Sequence, residues 1–204
     1  MGASRGIGLG LVDVHVEDGW KVHATTRDGS APRNHPYVTP HQLDVRDRDQ
    51  LATLISDLHE PVDRIIHNAG ILKARRSELI EVNTVAPIRV VEALLEAGHL
   101  KQDGTVAIMT SQLGSRRRRR GSLGDYGDSK AALNDEFRKR SSQWRDAGAI
   151  AIVMHPGWVK TDMGGRGASL TISESVHGIM EVLDGLAPDD HGKFLTWDGR
   201  VHPW

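Results

Sequence analysis

Two apolar rhythms alternate along the chain. Short runs at residues 21–26 (KVHATT), 41–45, 62–67, 106–109 and 149–154 carry apolar or β-favouring side chains and predict buried strands. Between them lie longer stretches with apolar residues every third or fourth position. In 48–59, Leu51, Leu54, Ile55 and Leu58 share one helical face. In 78–100, Leu79, Val82, Val85, Ile88, Val91, Leu94 and Leu95 recur at helical spacing, with Gly98 as its end and Gly104 as the turn before the next strand. Residues 128–147 predict another helix, 173–183 a last one with Ser173 as its N-cap, and 194–196 a final short strand. Strands alternating with helices predict an α/β fold, one doubly wound parallel sheet with helices on both faces. No internal repeat or linker divides the chain, so residues 1–204 read as a single domain.

Glycines cluster where the pattern opens. Gly2, Ser4, Arg5, Gly6, Ile7 and Gly8 lead directly into a helix and then a strand. Such a loop turns tightly, lets the backbone approach a pyrophosphate and offers it the helix N-terminus. Arg27 follows the next strand, 19 residues after Gly8. An acid at this distance suits a ribose 2′-hydroxyl and an arginine suits a 2′-phosphate, which Arg5 would also reach. Asp28 is the competing acid; we read NADP as the cofactor over NAD.

Composition narrows the classes. The formal charge is -1 and the pI about 6.8, which gives no general pull toward nucleic acid or membrane. There is no cysteine, hence no disulfide framework and no thiol nucleophile. Eleven histidines are present, without a His-Glu-x-x-His or another ligand spacing, so no metal site is expected. No apolar run approaches the roughly 20 residues of a membrane span, and no signal-like stretch opens the chain. A cytoplasmic protein is expected.

Candidate chemistry lies between Ser111 and Lys130. Tyr126 and Lys130 fall on one helical face if a helix begins near Tyr126. An ammonium beside a phenol favours the phenolate, so the tyrosine pKa is expected to fall from about 10. Ser111 lies at the end of a buried strand, where such sheets carry their chemistry. Alone, Tyr-x-x-x-Lys describes many surface helices.

Taken together, these motifs resemble the short-chain dehydrogenase/reductase family over nearly the whole chain. The matching residues are Gly2-Ala-Ser-Arg-Gly6-Ile-Gly8, Asp44-Val45, Asn68-Ala69-Gly70, Asn83, Ser111, Tyr126-x-x-x-Lys130 and Pro156-Gly157-x-Val159-x-Thr161. Within that family, Thr110 to Ser115, Lys160 to Gly165 and the closing Phe194-Leu-x-x-Asp-Gly-x-x-x-Pro-Trp204 look like the C-factor and sniffer-type carbonyl reductases. The resemblance implies hydride transfer between NADP(H) and a small carbonyl or alcohol. Tyr126 would be the general acid or base, Ser111 the carbonyl's hydrogen-bond partner, Lys130 the group that tunes Tyr126 and holds a ribose, and Asn83 the seat of a relay water. Asp44 and Val45 would flank adenine, and Asn68, Ala69 and Gly70 the adenosine side. Thr161, with the Val159 backbone, would hold the carboxamide. The family's habits also imply a homodimer through the helices containing Asn83 and Tyr126.

Two departures matter. Relatives carry about six apolar residues before the first glycine, where Met1 stands here. Five buried apolar side chains at about 1.5–3 kcal/mol each are comparable with the whole stability of a domain. A start downstream of the true one, with poor stability and weak cofactor binding, is therefore expected. The second is the run Arg116 to Arg120, read as a solvated loop, with selection of an acidic or phosphorylated substrate as the sharper alternative. The competing functional class is a non-enzymatic dinucleotide-binding signalling or redox-sensing protein, or an inactive truncated form. Trp158 and Trp204 either close over the pocket or pack.

Overall fold

The computed structural model describes residues 1–117 and 124–204. Its centre is a parallel sheet ordered β3-β4-β5-β6, from Val62–His67, Leu100–Met109, Ile150–His155 and Phe194–Thr196. Parity explains its burial. Val106 and Ile108 of β4 and Ala151 and Val153 of β5 face one core. Ala107 and Met109, with Ile152 and Met154, face the other. Strands buried on both faces must be apolar at every position, and these are. The helices α2 (Arg48–Asp57), α4 (Ala86–Glu96) and α5 (Gly124–Asp146) cover the first face; α1 (Gly6–Glu17) and α6 (Ile172–Asp184) cover the second.

The remaining strands, β1 (Val22–Thr26) and β2 (Val38–Gln42), form a separate parallel pair. The expected single sheet is therefore split, and the seam lies where the resemblance lacks a strand. Residues 1–3 bridge it. The Met1 amine donates to Ile66 O (2.7 Å), Asn68 N donates to Met1 O (3.1 Å), and Ala3 N donates to Thr25 O (3.0 Å). Beyond that bridge, the facing edges of β1 and β3 pair with no strand among the described residues.

Several expected boundaries shift for identifiable reasons. The strand expected at 41–45 is β2, which ends at Gln42, so Asp44 follows the strand rather than closing it. Pro40 fits within β2 because its only strand partner is β1. The long helix expected over 78–100 is α3 (Arg76–Ile80), a π turn (Glu81–Val85) and α4. Pro87 has no N–H for the Asn83 carbonyl and its ring crowds that carbonyl, which opens the turn. Gly104 lies inside β4, beside the break in the β3–β4 register, not in a turn before it. The cap of α6 is Thr171, not Ser173: Thr171 and Glu174 form a reciprocal capping box. The long helix α5 begins at Gly124 rather than Asp128.

The buried Met1 amine has a measurable consequence. Burial pulls its pKa from 8.0 to about 6. Between those values the unfolded chain holds a proton that the folded chain does not, so stability rises with pH from about 6 to 8. Fusing a six-residue apolar strand ahead of Met1 converts the amine to an amide and fills the seam. We expect the melting temperature to rise and its slope over pH 6–8 to flatten, both read by calorimetry.

Candidate active site

The C-terminal ends of the parallel strands and the N-terminus of α1 enclose a cleft of about 720 Å³. Its glycine wall is built by close approach. Gly2 has φ +76°, and a Cβ there would lie 2.8 Å from Ala69 Cα. Gly2, Ser4, Arg5, Gly6 and Ile7 line the cleft. Gly8 does not. A Cβ on it would lie 2.0 Å from Gly2 O, so its role is to let the loop close on itself. No side chain caps α1, which leaves its first N–H groups for a ligand at its N-terminal end.

At the β1–β2 end, Arg27, Asp44, Val45 and Arg46 line the cleft. Arg46 Nη2 donates to Asp44 Oδ2 (2.6 Å), and that bond is the main reason the Asp44 pKa is held at about 2. Arg46 Nη1 also reaches Glu78 Oε1 at 3.4 Å. Asn68, Ala69 and Gly70 line the middle. Asn68 Nδ2 donates to Gly2 O (3.1 Å), fastening this segment to the glycine loop.

The catalytic candidates stand at the β4 end. Lys130 is 4 % exposed, and its Nζ donates to Met109 O (2.9 Å). Burial pulls its pKa from 10.5 to about 8. Ser111 stands close enough to the Tyr126 phenol to lower its pKa, and its Oγ accepts from Leu113 N at 3.2 Å. Two contacts set that meeting. A Cβ on Gly114 would lie 2.9 Å from the Lys130 main chain, so only glycine lets the loop after Ser111 lie this close on α5. Arg76 Nη1 reaches Asp125 (2.9 Å) and Asp128 (3.1 Å), holding the first turn of α5.

Several candidates stand differently from expectation. Burial raises the Tyr126 pKa, and the Ser111 side chain only opposes this; Lys130 donates to Met109 O rather than tuning the phenol down. Asn83 is fully buried and does not line the cleft. Its amide donates to Ile71 O (2.8 Å) and Ser129 Oγ (3.1 Å) and accepts from Ile71 N (2.9 Å), so it clamps the segment after β3 to α5. Pro156 and Thr161 line the cleft, but Gly157 and Val159 do not. Gly157, at φ +87°, makes a turn against Leu170 and Trp197. The Val159 carbonyl already accepts from Thr161 N (2.8 Å) and Oγ1 (3.3 Å). Ser111 acts through Tyr126 without lining the cleft itself.

Sequence reasoning missed Arg46, Lys160, Asp162 and Arg166, which also line the cleft. Their neighbours in motifs were the only available signal. With Arg5, Arg27 and Lys130 they make six cationic side chains against Asp44, Glu78 and Asp162, a balance suited to a polyanionic ligand. Arg5 meets Asp162 across the mouth at 3.4 Å, between two well-exposed side chains. Trp158 is 54 % exposed with its Nε1 on Gly164 O, while Trp204 packs on Phe137 and Phe194. In the arginine run, Arg116 pairs with Asp135; Arg118, Arg119 and Arg120 lie outside the described residues. His67 is fully buried with neither ring nitrogen hydrogen-bonded among the described residues. Burial, then the charges of the Met1 amine and Lys130, hold its pKa near 3.

The Asn83 clamp gives a direct test. Asn83→Ala strands the Ile71 N–H and C=O, at about 1–3 kcal/mol per unpaired buried group. We expect a melting temperature lower by about 4–10 °C, with weaker dinucleotide binding read by calorimetric titration.

Comparison with known proteins agrees with this geometry. The family model described as short chain dehydrogenase matches residues 1–169. The C-signal protein of Myxococcus xanthus is 37 % identical over 155 residues, covering 71 % of this chain and 93 % of that protein. A short-chain dehydrogenase/reductase from Burkholderia multivorans with bound NADP superposes with a TM-score of 0.88 at 30 % identity, over 100 % of this chain and 96 % of that one. The NADPH-bound carbonyl reductase from chicken fatty liver does so with a TM-score of 0.87 at 33 % identity, again over 100 % and 96 %. The chain belongs to the short-chain dehydrogenase family.

Proposed function

We propose that the protein is an NADP(H)-dependent oxidoreductase that interconverts small carbonyls and alcohols, with Tyr126 as general acid and base. The observation that carries this reading is a cation-lined cleft that both Tyr126 and Lys130 line, with Ser111 beside the phenol. NADP fits the residues present. The cradle over Gly2 admits no Cβ, the α1 N-terminus is uncapped, and Arg27 stands at the end of β1 where a 2′-phosphate would be held. The Burkholderia and chicken structures with their bound dinucleotides support the same assignment.

When bound, the dinucleotide supplies the hydride. The chain supplies the proton. Tyr126 gives its phenolic proton to the oxygen of a ketone during reduction and takes one back in oxidation. The raised pKa keeps the phenol protonated for reduction in the ligand-free site. Ser111 steadies the phenol from outside the cleft lining. Lys130, buried with a pKa near 8, replaces the proton from beneath. Arg27, Arg46 and Arg5 orient the polyanion at the far end of the cleft, and Asp44 with Val45 flanks its base. We also read the outer faces around the π turn, where Val85 is 41 % exposed, and α5 as a homodimer contact.

Stopped-flow NADPH oxidation with a carbonyl panel tests the chemistry. Tyr126→Phe should lower kcat/KM by about 10³-fold or more while leaving NADPH binding within twofold. Turnover that survives this change rejects Tyr126 as the acid. NADPH binding by a chain that turns over no carbonyl favours the sensor, the reading to which the C-signal relative lends weight. Arg27→Ala should weaken NADPH binding about 10- to 100-fold and leave NADH unchanged. Equal loss for both dinucleotides would place the 2′-phosphate elsewhere.

A further inference from the structure

We propose that the closing segment, residues 194–204, braces the substrate side of the cleft, and that Trp204 is a positioning residue for the carbonyl substrate. This rests on the reductase reading above. The closing Phe-Leu-x-x-Asp-Gly-x-x-x-Pro-Trp has no place in the cleft, since none of its residues lines it.

Ser111 stands beside the Tyr126 phenol, and residues 112–117 lead away from it. Three contacts pin this outgoing limb. Gly114 lies against the Lys130 main chain, and its carbonyl accepts from Asn134 Nδ2 (3.2 Å). The Arg116 guanidinium bonds Asp135, with Nε to Oδ2 at 3.2 Å. Arg117 N donates to the Trp204 main-chain oxygen (3.0 Å). The first two pins belong to α5. Only the third comes from a separate element, and it fixes the limb farthest from Ser111.

Trp204 is itself firmly seated. Its ring stacks on Phe137 of α5 at 6.2 Å between centroids and lies 5.6 Å from Phe194 of β6. The Arg138 guanidinium covers it at 5.1 Å. The segment folds back on itself through Thr196 N to Arg200 O (2.9 Å) and His202 N to Phe194 O (2.7 Å). Phe137 follows Lys130 by seven residues and Tyr126 by eleven, so all three fall on one face of α5. Trp204 thus packs on the same face of α5, about two turns beyond Lys130, and holds the outgoing limb. Arg27 and Asp44, proposed to meet the dinucleotide, stand on the far side of the seam, after β1 and after β2.

Two variants separate this role from general packing. Trp204→Ala removes the packed ring, and Arg117→Pro removes only the N–H at an exposed position. Both should raise KM for the carbonyl about fivefold or more, with kcat and the NADPH dissociation constant within twofold. Trp204→Phe, which keeps a ring, should recover most of the loss. Trypsin cleavage after Arg116 and Arg117, followed by mass spectrometry on the ligand-free protein, needs no activity; Trp204→Ala should be cut about threefold faster or more, whereas Arg117→Pro removes both cleavage sites and is read by KM alone. If the wild type reduces no carbonyl, the reductase reading fails and with it the positioning role, while the cleavage rates still decide the brace. Faster cleavage at unchanged KM rejects the positioning role. Raised KM without faster cleavage rejects the brace, and wild-type values in both variants reject both.

Discussion

Lys130 brings an ammonium into a layer nearly closed to water, and the end of β4 has to receive it. The Met109 carbonyl does so at 2.9 Å. Desolvation is still incompletely offset, which is why the amine sits near pKa 8. That contact ties α5 to the end of β4, beside the Thr110 to Asn134 hydrogen bond. Gly114 then has to be glycine, because the loop from β4 crosses the Lys130 backbone at a distance that leaves no room for a side chain. Ser111 and Tyr126 meet because the crossing is that close. The apolar alternation of β4 and β5 supplies the rigid floor beneath, one parity to each helix layer.

The same end of the sheet sets the electrostatics. Burial favours the neutral form of each titratable group there, whatever its type. It lowers Lys130, lowers His67 to about 3 and raises Tyr126. At the opposite end of the cleft the groups are more exposed and ionised; Asp44 stays an anion at pKa about 2 because Arg46 bonds it. The cleft therefore runs from a charged, wet end suited to phosphates toward a dry end suited to proton transfer.

Motifs at strand ends were legible in the sequence because the alternation of strand and helix fixes where strand ends fall. Arg27, Asp44 and Asn68 reach the cleft from such positions, and Tyr126 reaches it from the first turn of α5. Gly8, Gly157 and Val159 stand within equally clear motifs yet serve turns and closures, since a motif records a needed residue without recording whether it touches ligand or shapes backbone. Arg46, Lys160 and Arg166 were not legible because their position depends on how distant segments pack. Helical spacing placed Tyr126 and Lys130 on one face but could not tell that the amine would turn to Met109. The π turn was in principle readable from Pro87, four residues after Asn83, because its missing N–H falls where an α-helix needs one.

The split sheet makes the glycine loop a structural joint as well as a binding element. Gly2 lies within the bridge that joins β1 to β3. Its N reaches Thr25 Oγ1 at 3.4 Å on one side, and its carbonyl accepts from Asn68 Nδ2 at 3.1 Å on the other. A handful of hydrogen bonds there do what a full strand would do with many more, so the relative position of the two sheets depends on a segment that must also stay open to phosphate. A dinucleotide that contacts Arg27 on one sheet and the Lys130 region on the other would tie together the same two halves. By mass action its binding energy then adds to the stability of the folded state. Folding and cofactor binding are coupled at this seam because one short loop carries both.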